Sequence, residues 1–321
     1  MKSNYTKTID FENVLIFLFI FFLIFTNNYF GEFNINPSAT SSHYYLQIAS
    51  SFPNIVEFND NSQTYIHAER FLISYLIGCF SNLLNIKVFY IFCLFSYTLT
   101  ALLLLINVKI LNSLLVNCND KIIFYALIIF NPYIYRYHLS NPVMLNDLIF
   151  YLGISVLFLS FIKKKNSLFY MSIIFLIISR QTSLIIIIAL LIHLLAPFKK
   201  DFIEYKKVTF SLLIFLVNYL IAQYYLNSAD ISTFYDSTIF GLIQYIKTDV
   251  NYLILIKFVL YPLLTYGPIL IFILILIFKR NLTYKYDEKN IFFIIVILGI
   301  FAQPLIAGPL IAGKNIIRLS S

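Results

Sequence analysis

The chain has 321 residues, of which 60% are hydrophobic and 12% charged, and its mean hydropathy is +0.83. A bilayer core about 30 Å thick needs roughly 20 apolar residues per helical span, and runs of that kind fill the chain. This composition excludes an ordinary water-soluble domain, and the net charge of +8 reads as topology signal plus attraction to anionic headgroups, with no nucleic-acid partner expected.

The first apolar run, 14–25, follows Lys2 and Lys7. Thr26, Asn27, Asn28, Tyr29 and Phe30 come next and are too bulky for a small-residue cleavage site, so a retained signal anchor is expected. Residues 31–70 then form the longest polar stretch. A loop of that length in a compact membrane protein usually has a task. Within it Tyr44, Ile48 and Phe52 recur at helical spacing against Gln47, Ser50 and Ser51, which predicts a short amphipathic helix lying in the interface.

Residues 68–84 are long enough to cross the bilayer, yet they carry His67, Arg70, Ser74, Ser81 and Asn85 near one helical face. Further spans are expected at 88–107, 122–138, 143–162, 167–179, 182–196, 208–226, 256–278 and 291–307. With the first, these make about nine. If 68–84 lies along the outer surface, most of the 23 Lys and Arg residues fall on the cytoplasmic side, including the triplet Lys163, Lys164 and Lys165. If it crosses, that triplet faces outward, against the bias of short basic loops toward the cytoplasm. The surface-lying arrangement is therefore expected. The fold class is all-α, a polytopic helical membrane protein with a single integral membrane domain over 1–321. Residues 31–87 form its extracytoplasmic loop with surface helices.

Cys79, Cys93 and Cys118 lie in or beside apolar runs at spacings that match no metal motif, and no disulfide framework is implied. Trp is absent, so the interfacial aromatic role falls to the 25 Tyr residues.

Several charges fall at the outward ends of the spans. The segment YIHAERF at 65–71 packs His67, Glu69 and Arg70 into one turn, and a solvated Glu and Arg at the water boundary is the plain alternative to a site. Arg136 and His138 follow one span, Asp147 is just inside the next, and Arg180 separates two short apolar runs. A charge near the hydrocarbon costs about 2.5–3.5 kcal/mol at a helix centre, so such residues normally face a polar cavity or pair with each other. An ion pair between Asp147 and Arg180 and a role for both in a site are open alternatives. His193 and Lys257 are expected to snorkel or to find a helix partner. Near the C-terminus PLIAG occurs twice, at 304–308 and 309–313, and its prolines and glycines break the helix. Lys314 and Arg318 follow at four-residue spacing, suited either to snorkelling or to anchoring a phosphate.

The order of these parts resembles the GT-C superfamily of integral membrane glycosyltransferases. The resemblance rests on HYYLQIA at 43–49, YIHAERFLISYL at 65–76, SNPVMLND at 140–147, ISRQTSL at 178–184 and AGKNIIRL at 312–319. It implies transfer of a sugar from a polyprenyl-phosphate donor to a cell-envelope acceptor at the outer face, with inversion and with an acidic residue of the first outer loop as general base. Where the family's acidic residue would precede Tyr44 and Tyr45, this chain has Thr40, Ser41, Ser42 and His43. The base then falls to another carboxylate: Glu69 first, beside Arg70, then Asp60 and Glu57, with Glu32 also in the loop. His43, His67, Arg70, Asp147, Arg180, Lys314 and Arg318 become the substrate-binding set. No cofactor is expected; the loop carboxylates could hold a divalent cation, but no spacing argues for one. Expected partners are the polyprenyl-phosphate-linked sugar and membrane lipids, in a bacterial plasma membrane with the N-terminus cytoplasmic. The chain stops at Ser321 soon after the basic motif, where such relatives continue, as a truncated product would. A transporter or flippase, a polysaccharide polymerase and a non-catalytic membrane scaffold are the alternatives; no half-to-half repeat supports the first of these.

The topology yields a direct test. In a background lacking native Cys, a single Cys at position 164 is expected to resist a membrane-impermeant thiol reagent applied from outside. Labelling at that position would overturn the expected orientation and with it the outward placement of residues 31–70.

Overall fold

The computed structural model describes residues 42–56, 67–114, 137–180, 183–195 and 204–229, with Leu18, Phe22, Tyr135, Phe292 and Val296 as single positions. Every regular element among the described residues is a helix. They are α1 (Ser42–Ser51), α2 (Phe71–Leu84), α3 (Val88–Leu114), α4 (Tyr137–Ser140), α5 (Leu145–Lys163), α6 (Asn166–Ser179), α7 (Ser183–Leu195) and α8 (Tyr205–Ser228). Helices α3, α5 and α8 are long and apolar enough to cross a membrane. The chain is thus all-helical with three long candidate spans among the described residues. Apart from those single positions and the end of 122–138, the expected spans at 14–25, 122–138, 256–278 and 291–307 lie outside the described residues.

Helices α5 and α6 form an antiparallel hairpin. Its turn is made by Lys164, left-handed at φ 50°, whose N–H and that of Lys165 both reach back to the Ser160 carbonyl. Three consecutive lysines at the C-terminal end of α5 also complement the negative end of its backbone dipole. Higher up, Gly153 lets the two helices approach closely: a Cβ there would stand 2.8 Å from Leu176 Cγ and 3.2 Å from the Leu176 backbone nitrogen. Phe150, Leu157, Phe161, Phe169, Ile173 and Leu176 fill the seam.

Helix α8 runs parallel to α6. Lys207 Nζ lies 5.6 Å from the centre of the Phe169 ring, Phe210 meets Tyr170 at 4.7 Å, and Asn218 Nδ2 donates to the Ile177 carbonyl at 3.3 Å. Residue numbers rise together along both helices, so α7 returns between them. The last turn of α8 therefore lies at the end opposite the lysine turn, where the Tyr225 ring stacks on Phe71 at 3.8 Å and 9°.

Phe71 opens α2, whose buried face mixes Phe71, Ile73 and Ile77 with small residues. Ser74, Gly78 and Ser81 face inward, whereas Leu76, Phe80, Leu83 and Leu84 are exposed, Leu83 at 75%. The inward stripe of small residues receives α1. A Cβ on Gly78 would collide with the Ala49 carbonyl oxygen and stand 2.8 Å from Phe52 Cβ. Close backbone approach through small residues is how helices associate where lipid removes the hydrophobic drive.

This packing revises the expected face of α1. Ile48 is buried as expected, but its companions are Ser42, Tyr45 and Ala49, and the face lies against α2. Tyr44 is half-buried and stacks on His67 at 5.2 Å. The serines of α2 likewise point into the protein. At 14 residues, α2 rises about 21 Å, short of the 30 Å hydrocarbon core.

Replacing a mid-helix Gly by Ala normally stabilises by about 0.5–1 kcal/mol. At Gly78 the sign should reverse, because the obstructing group is backbone and can move only with α1, giving a net loss of about 1–3 kcal/mol. Thermal unfolding of Gly78→Ala in detergent measures this, and a raised Tm would exclude the α1–α2 contact. Gly153→Ala should lose less, since the Leu176 side chain can yield.

Candidate functional site

The end of the bundle opposite the lysine turn collects most of the charged and polar side chains singled out by sequence. Asp147 falls in the first turn of α5, where the helix dipole favours a carboxylate. Arg180 ends α6: its backbone turns extended (φ −151°, ψ 144°), its N–H still reaches the Leu176 carbonyl, and the Ser183 N–H returns to the Arg180 carbonyl to open α7. Because α5 and α6 are antiparallel and close at Gly153, these two positions meet. Arg180 Nε donates to Asp147 Oδ1 at 2.9 Å, with side-chain exposures of 4% and 3%. The Phe150 ring lies 5.6 Å from the guanidinium carbon. The ion pair, one of the two expected alternatives for these charges, is present.

Arg70 joins this group through its backbone. Its carbonyl accepts a hydrogen bond from Asn146 Nδ2 at 3.3 Å, which fastens the HAERF turn to the head of α5. Glu69 and Arg70 are both half-buried in that turn, and the Arg70 N–H closes it on the His67 carbonyl.

His67 leads back to α1. Its Nδ1 lies 3.0 Å from the Tyr45 hydroxyl, and its ring is stacked on Tyr44 and edge-on to Tyr45. His43 adds a fourth ring, 3.8 Å from that of Tyr44. The two histidines and two tyrosines form one aromatic group, with Glu69 two residues after His67 in the chain. His138, also expected outward, is buried, with its ring 5.6 Å from Tyr151 and its carbonyl accepting from Ser96 Oγ.

Of the site residues expected from sequence, His43, His67, Glu69, Arg70, Asp147 and Arg180 belong to this end of the structure. Glu57, Asp60, Lys314 and Arg318 lie outside the described residues, as does the doubled PLIAG segment. Sequence reasoning passed over Asn146 and Tyr45, which join the segments together. Asn146 carried a readable signal, a second polar side chain beside Asp147 at the start of an apolar run. Tyr45 had none, since its importance lies in a partner 22 residues away.

Cys79 and Cys93 are unbridged and half-buried. Among the described residues no group of three His, Cys, Asp or Glu side chains is arranged to hold a metal ion. The arrangement offers a turn bearing His67, Glu69 and Arg70 that is fastened to the head of α5, with a buried ion pair one residue beyond Asn146. No family description, curated protein or solved structure matches this chain.

The ion pair can be tested separately from any activity. Asp147→Leu or Arg180→Leu alone leaves an uncompensated buried charge and should lose about 3–5 kcal/mol, whereas combining the two substitutions should recover most of that loss. Thermal unfolding of the cycle in detergent decides it; additive losses would mean that the two side chains act independently.

Proposed function

We propose that this protein is an integral membrane glycosyltransferase that moves a sugar from a polyprenyl-phosphate donor to a cell-envelope acceptor at the outer face. One observation carries the reading. Four segments that resemble the GT-C pattern, HYYLQIA, YIHAERF, SNPVMLND and ISRQTSL, are far apart in sequence and come together through His67 with Tyr45, Asn146 with Arg70 and Asp147 with Arg180.

In this reading the acceptor hydroxyl oxygen attacks the anomeric carbon while the bond from that carbon to the phosphate oxygen breaks, so the configuration inverts. Glu69 takes the hydroxyl proton, and the polyprenyl phosphate departs with the bonding electrons. Arg70 balances the departing phosphate, with Lys314 and Arg318 as further candidates. Arg180 has a different task. Its pairing with Asp147 commits it to holding the α6–α7 break against the head of α5, so it positions the site.

The test uses purified protein in nanodiscs with radiolabelled polyprenyl-phosphate sugar. Glu69→Gln should lower transfer by about 10²–10⁴-fold with donor affinity little changed, since removing a base affects the transition state more than the ground state. Unchanged turnover would remove Glu69 as the base and shift the role to Asp60 or Glu57. A wild-type protein that binds no donor would overturn the enzymatic reading in favour of a scaffold.

A further inference from the structure

The lysine turn that closes the α5–α6 hairpin has a second source of positive charge beside it. Helix α8 starts at the same end of the bundle: Lys207 Nζ lies 5.6 Å from the centre of the Phe169 ring and Phe210 meets Tyr170 at 4.7 Å, both rings belonging to the first two turns of α6. Lys163, Lys164 and Lys165 are exposed, and so is Lys206 in the first turn of α8. Two helices begin here, α6 after Lys165 and α8 after Glu204, and neither N-terminus is capped by a side chain. The positive ends of both backbone dipoles therefore add to the field of the ammonium groups.

Little on the protein offsets this charge. The described residues include three carboxylates, of which Glu69 and Asp147 belong to the opposite end and Glu204 alone lies here. None of the four exposed lysines forms an ion pair among the described residues. Ammonium groups gathered in this way repel one another, and anions in the surroundings relieve the repulsion.

The depth of the cluster identifies those anions. Helix α5 is 19 residues long and rises about 28 Å, close to the hydrocarbon thickness of about 30 Å, so its lysines emerge where lipid phosphates lie. Lys206 opens a second helix long and apolar enough to cross, next to Tyr205, which is 65% exposed and of the type that favours the interface. Lysine stems follow apolar surface and carry the ammonium into the headgroup layer. A soluble acidic protein would meet these groups only by displacing the headgroups already around them.

We infer that Lys163, Lys164, Lys165 and Lys206 form a docking surface for the anionic phospholipids of the leaflet at that end of the bundle. The ammonium groups need not share one phosphate, because the leaflet presents a layer of them. The inference is independent of the glycosyltransferase reading, whose chemistry lies at the other end.

Native mass spectrometry of the full-length protein in detergent tests this by counting retained lipids, with phosphatidylglycerol and phosphatidylcholine of identical acyl chains as the probes. The protein should bind phosphatidylglycerol at least about tenfold more tightly, and each Lys→Gln substitution should weaken that preference by up to about fivefold. Replacing all four lysines by Gln should abolish it. Replacing all four by Arg, which keeps the charge, should preserve it, and raising the salt concentration before measurement should reduce it. Helicity and elution volume establish that each variant is folded.

The docking surface is overturned if the two lipids bind equally, or if the preference survives the fourfold Gln substitution. Loss of the preference in the Arg variant as well would also overturn it, since shape and not charge would then decide. Equal lipid binding together with an acidic protein that copurifies with the lysine form and not with the Gln form would assign these residues to that partner instead.

Discussion

A carboxylate and a guanidinium held almost wholly out of water constrain this protein more than any other single contact. Each charge would be costly alone at that depth, so Asp147 and Arg180 must meet, and their meeting sets the register of α5 against α6. Sliding one helix past the other by a turn, about 5.4 Å, would break the pair and strand both charges. Gly153 makes the approach close enough, and the lysine turn closes the hairpin at its other end. The position of the break before α7 follows from the same pair, since Arg180 has to leave the helix with its side chain directed at α5.

The second organising feature is the sidedness of α2. In water its serines would face solvent and its leucines the core. Here Ser74, Gly78 and Ser81 are inside and Leu76, Phe80, Leu83 and Leu84 outside. Phe71, Ile73 and Ile77 are inside as well, and the exposed residues suit lipid, because an apolar side chain loses nothing by facing hydrocarbon, while small side chains gain by letting backbones touch. The bare α-carbon of Gly78 receives the Ala49 carbonyl and so brings α1 alongside α2. That contact carries Tyr45 to His67, and the aromatic group around them follows from it.

These two constraints converge on one end of the bundle. The hairpin places the head of α5 there, α8 returns there with Tyr225 on Phe71, and the Asn146 bond draws the HAERF turn onto the same place. From Asp147 to the lysine turn, α5 rises about 24 Å, most of the hydrocarbon thickness. Polar side chains thus collect at one end of the hairpin and a basic turn closes the other. That collection is why the proposed reaction uses groups from several distant segments.

Much of the architecture was legible in the sequence. Apolar length alone gave the helices at 145–163, 205–228 and 88–114 to within a few residues at most ends, and the short runs on either side of Arg180 proved to be two helices. The cost of isolated intramembrane charge also made Asp147 and Arg180 natural partners before any distance was known. Helical spacing did less well for α1 and α2. It finds a polar stripe and an apolar stripe, but which of them faces protein depends on what surrounds the helix, and that belongs to the assembled structure. The joining of His67 to Tyr45 and of Asn146 to Arg70 was likewise beyond the sequence. Such contacts depend on helix packing and backbone direction, whereas composition and periodicity describe one segment at a time. Sequence thus determined the three long apolar helices and offered the pairing of Asp147 with Arg180 as one of two alternatives, and tertiary packing decided which distant segments meet, because only packing brings them within hydrogen-bonding distance.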